Sequence, residues 1–145
     1  MSDFRTITDT MLASPQITVE DVATAKQCGV SLIVNNRPEG ESPDQTPGDI
    51  IAAAAEAAGI AYCAIPITHA GFSEPQVDAM VEAMQSADGP VLAYCRSGTR
   101  STLLWSLAQA KLGRDIDEIA RLAAGGGYDI SPVRPAMDML AARSG

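Results

Sequence analysis

Short apolar runs alternate along the chain with segments that have helical periodicity. Three runs with turn-forming borders are typical of buried β-strands, and they cover residues 30–34, 60–65 and 91–94. Weaker runs at residues 4–7 and 10–13 indicate edge strands. Because strands that alternate with helices usually pair in parallel, we expect one α/β domain over residues 1–145, with a mostly parallel central sheet of about four to five strands flanked by helices.

The segments between the strands begin with residues that commonly start helices. Thr18 precedes one helical pattern, and Thr46 precedes Pro47 at the first position of a second. Ser73 and Gln76 have the spacing of a capping box. After the third strong strand the pattern stays helical, over residues 101–112, 115–124 and 135–142. The first of these three has the periodicity of an amphipathic helix, and the polar segment 37–46 is predicted to be an ordered surface loop.

Charge and hydropathy narrow the expected partners and location. The net charge of −8 and the isoelectric point near 4.4 argue against nucleic acid or an anionic membrane, because the field of the protein repels both. No apolar run approaches the ~18 residues of a transmembrane helix, and the first residues lack the pattern of a signal peptide. We therefore expect a cytoplasmic protein.

Cysteine and histidine are scarce. The chain has three cysteines, Cys28, Cys63 and Cys95, and one histidine, His69. Their number and spacing fit neither a disulfide framework nor a zinc site, so we expect no metal and no cofactor. Cys28, at a helix end, and Cys63, within an apolar strand, are predicted to be buried structural residues.

The run from Cys95 to Ser101 carries the predicted chemistry. It follows the strand of residues 91–94 and leads into a helix, and ligands of open parallel sheets bind at the carboxyl ends of the strands. A helix N-terminus and nearby arginines favour a cysteine thiolate, so Cys95 is the predicted nucleophile. Unpaired N–H groups of such a turn form an anion-binding nest, and Gly98 permits the backbone angles that the nest needs.

Arginine adds a second anion-binding group to this turn. Arg100 is predicted to clamp an oxyanion in bidentate fashion, a geometry that lysine does not match. The candidate oxyanion-binding residues are Arg96, Ser97, Gly98, Thr99 and Ser101. The alternative for Cys95, a buried core cysteine, explains neither the two arginines nor the glycine.

Arg37 and Glu41 follow the strand of residues 30–34 and therefore belong to the same edge of the sheet as Cys95. Either they line the pocket, with Arg37 as a further substrate-binding residue, or they form an internal salt bridge that orders the loop. We favour the salt bridge. Trp105, in the helix after the site, is predicted to pack in the core.

The combination of these motifs resembles a known group of proteins. Cys-x-x-Gly-x-Arg-Ser on a strand–loop–helix unit is similar to the cysteine-based phosphatases and rhodaneses. The chain more closely resembles a bacterial phosphatase-like domain that also occurs fused to a β-lactamase-like hydrolase. The matching residues are 16–18, 33–38, 40–41, Pro66, Gly71, 76–77, 94–101, Trp105 and 127–129. This resemblance implies a dual-specificity-phosphatase-like fold.

Two departures bear on the reaction. Tyrosine phosphatases have five residues between cysteine and arginine, whereas four separate Cys95 from Arg100, as in single-domain rhodaneses. Such phosphatases also have an aspartate as general acid on the loop after the preceding strand, whereas no aspartate lies between Glu56 and Asp78. His69 or Glu74 could replace it, although Glu74 also suits a helix N-terminus.

These observations leave three hypotheses. The leading one is sulfane-sulfur transfer, in which Cys95 takes sulfur from thiosulfate or a persulfide and passes it to a thiol acceptor or cyanide. The alternative is hydrolysis of a phosphate ester through a cysteinyl-phosphate, with His69 or Glu74 as acid. The third is an oxyanion-binding or sulfur-carrier module without catalysis.

Overall fold

The computed structural model describes residues 2–68 and 70–144, and of Ser144 the backbone alone. The strands within this part of the chain are β1 (Arg5–Thr8), β2 (Met11–Ser14), β3 (Leu32–Asn35), β4 (Ala61–Ala64) and β5 (Val91–Tyr94). The helices are α1 (Val19–Gln27), α2 (Gly48–Ala57), α3 (Glu74–Ser86), α4 (Thr99–Lys111), α5 (Ile116–Gly125) and α6 (Arg134–Ser144), with a 3-10 turn at Ser131–Val133.

The strands form one sheet in the order β1-β2-β5-β3-β4. The β1–β2 pair is antiparallel, and every other neighbouring pair is parallel. The expected mostly parallel α/β sheet is therefore confirmed. β5 lies between β2 and β3, so the carboxyl ends of these three strands meet at one edge, with Ser14, Tyr94 and Asn35 in register.

Helices cover both faces of the sheet, as alternate side chains of the central strands require. Ile33 and Leu92 pack with α1 and α2 on one face, whereas Val34 and Ala93 pack with α3, α4, α5 and α6 on the other. Because both faces are covered, all four residues of β3 and of β5 are buried. The near-continuous apolar runs of these strands reflect this double burial.

Helix α4 is not the amphipathic surface helix that its sequence suggested. All ten residues from 101 to 110 are buried, because α3, α5 and α6 surround the helix on the side away from the sheet. Its polar residues hydrogen-bond inward, as when the Ser106 hydroxyl donates to the Thr102 carbonyl at 2.8 Å. Trp105 is 1% exposed, so its predicted core position is confirmed.

The helix starts at Thr18 and Ser73 are confirmed, since both have capping boxes. The predicted start of α2 is wrong by one position: Pro47 is the N-cap residue, Thr46 makes no cap, and the Glu39 carboxylate accepts the Gly48 N–H at 2.8 Å. A carboxylate from the preceding loop thus takes the place of a side-chain cap at the helix terminus.

Three other expectations need correction. β2 is an interior strand rather than an edge strand, because β1 pairs with its outer side. Cys28 is exposed at the C-terminal end of α1 and is no core residue. Cys63 is only partly buried on the edge strand β4, where desolvation raises its thiol pKa.

No helix among the described residues is long and apolar enough to cross a membrane.

Candidate active site

The loop of Cys95 begins where β5 ends and is fixed to both neighbouring strands. The Asn36 N–H donates to the Tyr94 carbonyl at 2.8 Å, and the Cys95 N–H donates to the Ser14 carbonyl at 3.3 Å. One residue further, the Arg96 carbonyl accepts the Gln16 N–H at 3.3 Å. Parallel pairing of β2, β5 and β3 therefore sets where the cysteine lies.

The turn after Cys95 directs a backbone N–H group toward the sulfur. The Gly98 N–H donates to Cys95 Sγ at 3.1 Å. Gly98 has φ +91°, a conformation that glycine adopts readily, and it is the N-cap of α4. The first helical bond of α4 runs from Thr102 N–H to the Gly98 carbonyl, so the N–H groups of Arg100 and Ser101 precede the helical ladder and have no intrahelical acceptor. The loop therefore leads into the N-terminus of α4, and the anion-binding nest itself stays a prediction.

Arg100 projects from the first turn of α4 toward Glu41 and the loop after β4. Its Nη1 and Nη2 donate to the Glu41 carboxylate at 2.7 and 2.8 Å, and Nη1 also donates to the Ile67 carbonyl at 2.8 Å. The hydrogen bond with the Glu41 carboxylate raises the pKa of Arg100. The guanidinium therefore stays fully protonated beside the sulfur.

Glu41 receives a second arginine. Arg37, whose side chain is 4% exposed, donates from Nε to Glu41 at 3.0 Å and from Nη1 to Gln16 at 3.0 Å. Hydrogen bonds from Arg100, and then from Arg37, lower the pKa of Glu41 to about 2. The expected salt bridge between Arg37 and Glu41 is confirmed. Because the same Glu41 carboxylate also binds Arg100, this salt bridge supports the site.

The remaining loop side chains have different roles. Arg96, Ser97 and Thr99 are exposed, and the Ser97 hydroxyl donates to Thr99 Oγ1 at 2.9 Å. Ser101 is fully buried, and its hydroxyl donates to Asn36 Oδ1 at 2.7 Å. The Ser101 hydroxyl therefore ties α4 to the segment after β3, while its backbone N–H remains part of the helix N-terminus.

A pocket of about 250 Å³ opens over the loop and is lined by Glu41, Thr68, Arg96 and Arg100. Cys95 is fully buried beneath this surface. Although the chain carries a strong negative charge, two arginines face this pocket and one carboxylate is already neutralised by salt bridges. A small anion is the ligand class that such a lining favours.

The sequence matches a family with this architecture. A family model described as "Beta-lactamase hydrolase-like protein, phosphatase-like domain" matches residues 3–112. The chain belongs to this family. A beta-lactamase hydrolase-like protein of Xylella fastidiosa is 33% identical over 125 residues, which are 86% of this chain. The chain spans 29% of the length of that relative.

Solved structures agree with this assignment. A candidate phosphatase of Neisseria meningitidis superposes with a TM-score of 0.84 at 31% identity, over 97% of this chain and 99% of that one. Pseudomonas aeruginosa TpbA, in a Cys-to-Ser variant bound to phosphotyrosine, has a TM-score of 0.70 at 19% identity, over 98% of this chain and 90% of that one. The second likeness concerns the fold alone.

Among the described residues, the candidate acid Glu74 is not part of the pocket over the Cys95 loop. Its carboxylate instead accepts a hydrogen bond from the Arg143 guanidinium at 2.7 Å, where α3 meets α6. The other candidate, His69, lies outside the described residues. Its proposed role as acid therefore remains a prediction.

Three residues that sequence reasoning assigned no role in the site are part of its support. Asn36 accepts from Ser101 and donates to the Ile65 carbonyl at 2.9 Å, and Gln16 binds Arg37. The Tyr128 hydroxyl donates to the Ser97 carbonyl at 3.0 Å. The position of Asn36 directly after a strand was a usable signal, whereas Tyr128 comes from the loop after α5, a distant part of the chain.

Proposed function

We propose that this chain hydrolyses phosphate monoesters through a cysteinyl-phosphate formed on Cys95. The observation that carries the proposal is the hydrogen bond from Gly98 N–H to Cys95 Sγ, in a loop whose Arg100 guanidinium lies beside the same sulfur. Donors fixed around a sulfur favour its anionic form, and the same donors can bind the equatorial oxygens of a transferring phosphoryl group. Membership of the phosphatase-like family supports phosphorus over sulfur as the reacting atom.

The reaction has two displacements. The Cys95 thiolate attacks phosphorus, the bond from phosphorus to the ester oxygen breaks, and that oxygen takes a proton from the acid or from water. Water then attacks the phosphorus, the sulfur–phosphorus bond breaks, and inorganic phosphate leaves with the thiolate restored and one proton released. Arg100 and the N–H groups at the start of α4 hold the phosphoryl oxygens through both steps.

Aryl phosphates are the substrate class that this site favours. Among the described residues of the segment 65–74, Glu74 has the one carboxylate that could act as an acid. This carboxylate is held by a hydrogen bond from Arg143. A phenolate leaves without full protonation, so an aryl ester depends least on an acid. The phosphotyrosine bound to TpbA supports the same class. For poorer leaving groups we retain His69 as the proposed proton donor.

Sulfane-sulfur transfer is the second candidate, favoured by the four-residue spacing between Cys95 and Arg100. A shorter loop leaves less room for a tetrahedral dianion. In this case Cys95 would attack the outer sulfur of thiosulfate, release sulfite, and pass the bound sulfur to cyanide or a thiol.

Two parallel assays separate these candidates. We expect p-nitrophenyl phosphate hydrolysis that Cys95→Ser reduces by at least about 10³-fold and that the matched Cys28→Ser leaves unchanged, because Cys28 is an exposed thiol outside the site. Acid quench during turnover is expected to trap one phosphoryl group on the chain. Thiocyanate formation from thiosulfate and cyanide, without phosphatase activity, would overturn the proposal in favour of sulfur transfer. Anion binding without either activity would favour the binding module.

A further inference from the structure

Tyr128 contacts the Cys95 loop from a part of the chain outside the family match, which ends at residue 112. Its hydroxyl donates to the Ser97 carbonyl at 3.0 Å, and the residue is 8% exposed. The contact falls on the carbonyl of the same peptide whose N–H binds the sulfur.

Several contacts hold Tyr128 in this position. Gly127 has φ +93° and turns the chain at the end of α5, so that the Tyr128 N–H donates back to the Ala123 carbonyl at 3.0 Å. On the other side, the Arg5 guanidinium lies 5.8 Å from the centre of the Tyr128 ring, within cation–π distance. The hydroxyl is therefore presented by a fixed ring rather than by a mobile side chain.

The absence of a side chain at Gly98 leaves room for the Tyr128 hydroxyl group. A Cβ atom at this position would lie 2.1 Å from the Tyr128 hydroxyl oxygen and 2.9 Å from the adjoining ring carbon. Positive φ alone would favour glycine here; the close approach of Tyr128 excludes a side chain for a second reason. The loop and the tyrosine are thus in direct van der Waals contact at the residue whose N–H binds the sulfur.

The peptide geometry connects the two hydrogen bonds. In a trans peptide the carbonyl and the following N–H point in opposite directions. When Tyr128 holds the Ser97 carbonyl on its side, the Gly98 N–H must face the other side, where Cys95 Sγ lies at 3.1 Å. We propose that Tyr128 is a positioning residue that fixes the Ser97–Gly98 peptide with its N–H on the Cys95 sulfur.

The consequence concerns the reactivity of the nucleophile. Without the phenol hydroxyl, the Ser97 carbonyl loses its donor, and the peptide can rotate its carbonyl dipole toward the sulfur, which disfavours the thiolate. This inference rests on the proposed nucleophilic role of Cys95, but it does not depend on whether phosphorus or sulfur is attacked.

The test is Tyr128→Phe, with Tyr62→Phe as the matched control, because the Tyr62 hydroxyl binds Asn35 and not the loop. Alkylation by iodoacetamide is followed at each cysteine by site-resolved mass spectrometry, and the exposed Cys28 serves as internal reference. We expect the alkylation rate of Cys95 to fall about three- to tenfold in Tyr128→Phe and not in Tyr62→Phe, because only the first variant loses the hydrogen bond to the loop. The alkylation rate of Cys28 should stay unchanged in both variants. With p-nitrophenyl phosphate, kcat should fall by a similar factor while KM changes less than about twofold.

An unchanged ratio of Cys95 to Cys28 alkylation in a folded Tyr128→Phe variant would overturn the inference. The alkylation ratio also distinguishes a failure of this inference from a failure of the proposed function. If Cys95 is alkylated more slowly in Tyr128→Phe but the wild-type chain hydrolyses no phosphate ester, the role of Tyr128 is supported and phosphatase activity is rejected. If Tyr128→Phe does not fold, the amide resonance of Gly98 is compared between wild type and Cys95→Ala. A large change supports the N–H to sulfur bond that the inference requires, and no change overturns it.

Discussion

At the scale of single residues, Arg100 belongs both to the anion-binding loop and to the structure that supports it. Three of its N–H donors are used by Glu41 and by the Ile67 carbonyl. A guanidinium has five donors, so Nε–H and one Nη2–H, adjacent on one edge of the plane, are not used by these two partners. Glu41 thus holds the outer end of the guanidinium and leaves the edge that suits bidentate binding of an oxyanion.

Replacement of Arg100 by lysine tests this division of donors. An ammonium group cannot hold Glu41 and present a planar pair of N–H groups to an oxyanion at once, so we expect Arg100→Lys to lower kcat/KM for p-nitrophenyl phosphate by about 10²-fold. Arg114→Lys is the matched control, because Arg114 pairs with Glu118 at 3.7 Å on the surface and should be insensitive. Retention of half of the activity in Arg100→Lys would contradict the bidentate role.

At the scale of elements, the segment between β3 and α2 acts as a support for the first turn of α4. Arg37 is buried at the start of this segment, and its guanidinium binds Gln16, Glu41 and Ser42. Glu41 then carries the contact to Arg100. This polar loop is therefore ordered around the buried guanidinium of Arg37, and the contact from Arg37 Nε fixes the place of the Glu41 carboxylate.

Acid titration of Glu41 gives this support a pH dependence. Its pKa of about 2 lies below the ordinary value of 4.5, so the folded state favours the carboxylate. The stabilisation is complete above about pH 4.5 and is lost as the pH falls toward 2. We expect Glu41→Gln to lose about 1 kcal/mol of unfolding free energy near neutral pH, since the pair is partly exposed, and to converge with wild type in acid. Urea denaturation of both chains between about pH 7 and pH 3 measures this difference, and a gap that stays constant would contradict it.

The sequence predicted the elements better than the contacts between them. β5 and the starts of α1 and α3 follow from local signals, namely an apolar run and capping boxes. The loop of Cys95 was likewise local, because nucleophile, glycine and arginine lie within six residues. The pairing of Arg100 with Glu41 joins residues 59 apart, and that of Tyr128 with Ser97 joins residues 31 apart. Such contacts depend on strand order and on helix packing, which periodicity does not specify.

At the scale of the whole molecule, α4 is the central element of the larger core. It carries the Cys95 loop at its N-terminus, and its ten buried residues lie between the sheet and three other helices. The amphipathic expectation was wrong for this reason: a helix covered on all sides has no polar face to display. The position of the loop is therefore set by packing along the full length of α4.

The family match ends at residue 112, but the core does not. Buried apolar side chains beyond that point belong to the same core as α4, namely Ile119, Ala123, Tyr128, Ile130, Val133 and Met137. At about 2 kcal/mol for a typical buried side chain, they contribute on the order of 10 kcal/mol, comparable with the net stability of a whole domain. We therefore expect a chain truncated after residue 112 to lose its cooperative thermal transition and its phosphatase activity together. Circular dichroism melting and p-nitrophenyl phosphate turnover measure the two losses. A cooperative, active fragment would show that α5 and α6 are an addition to the fold and not part of its core, and would also contradict the role proposed for Tyr128.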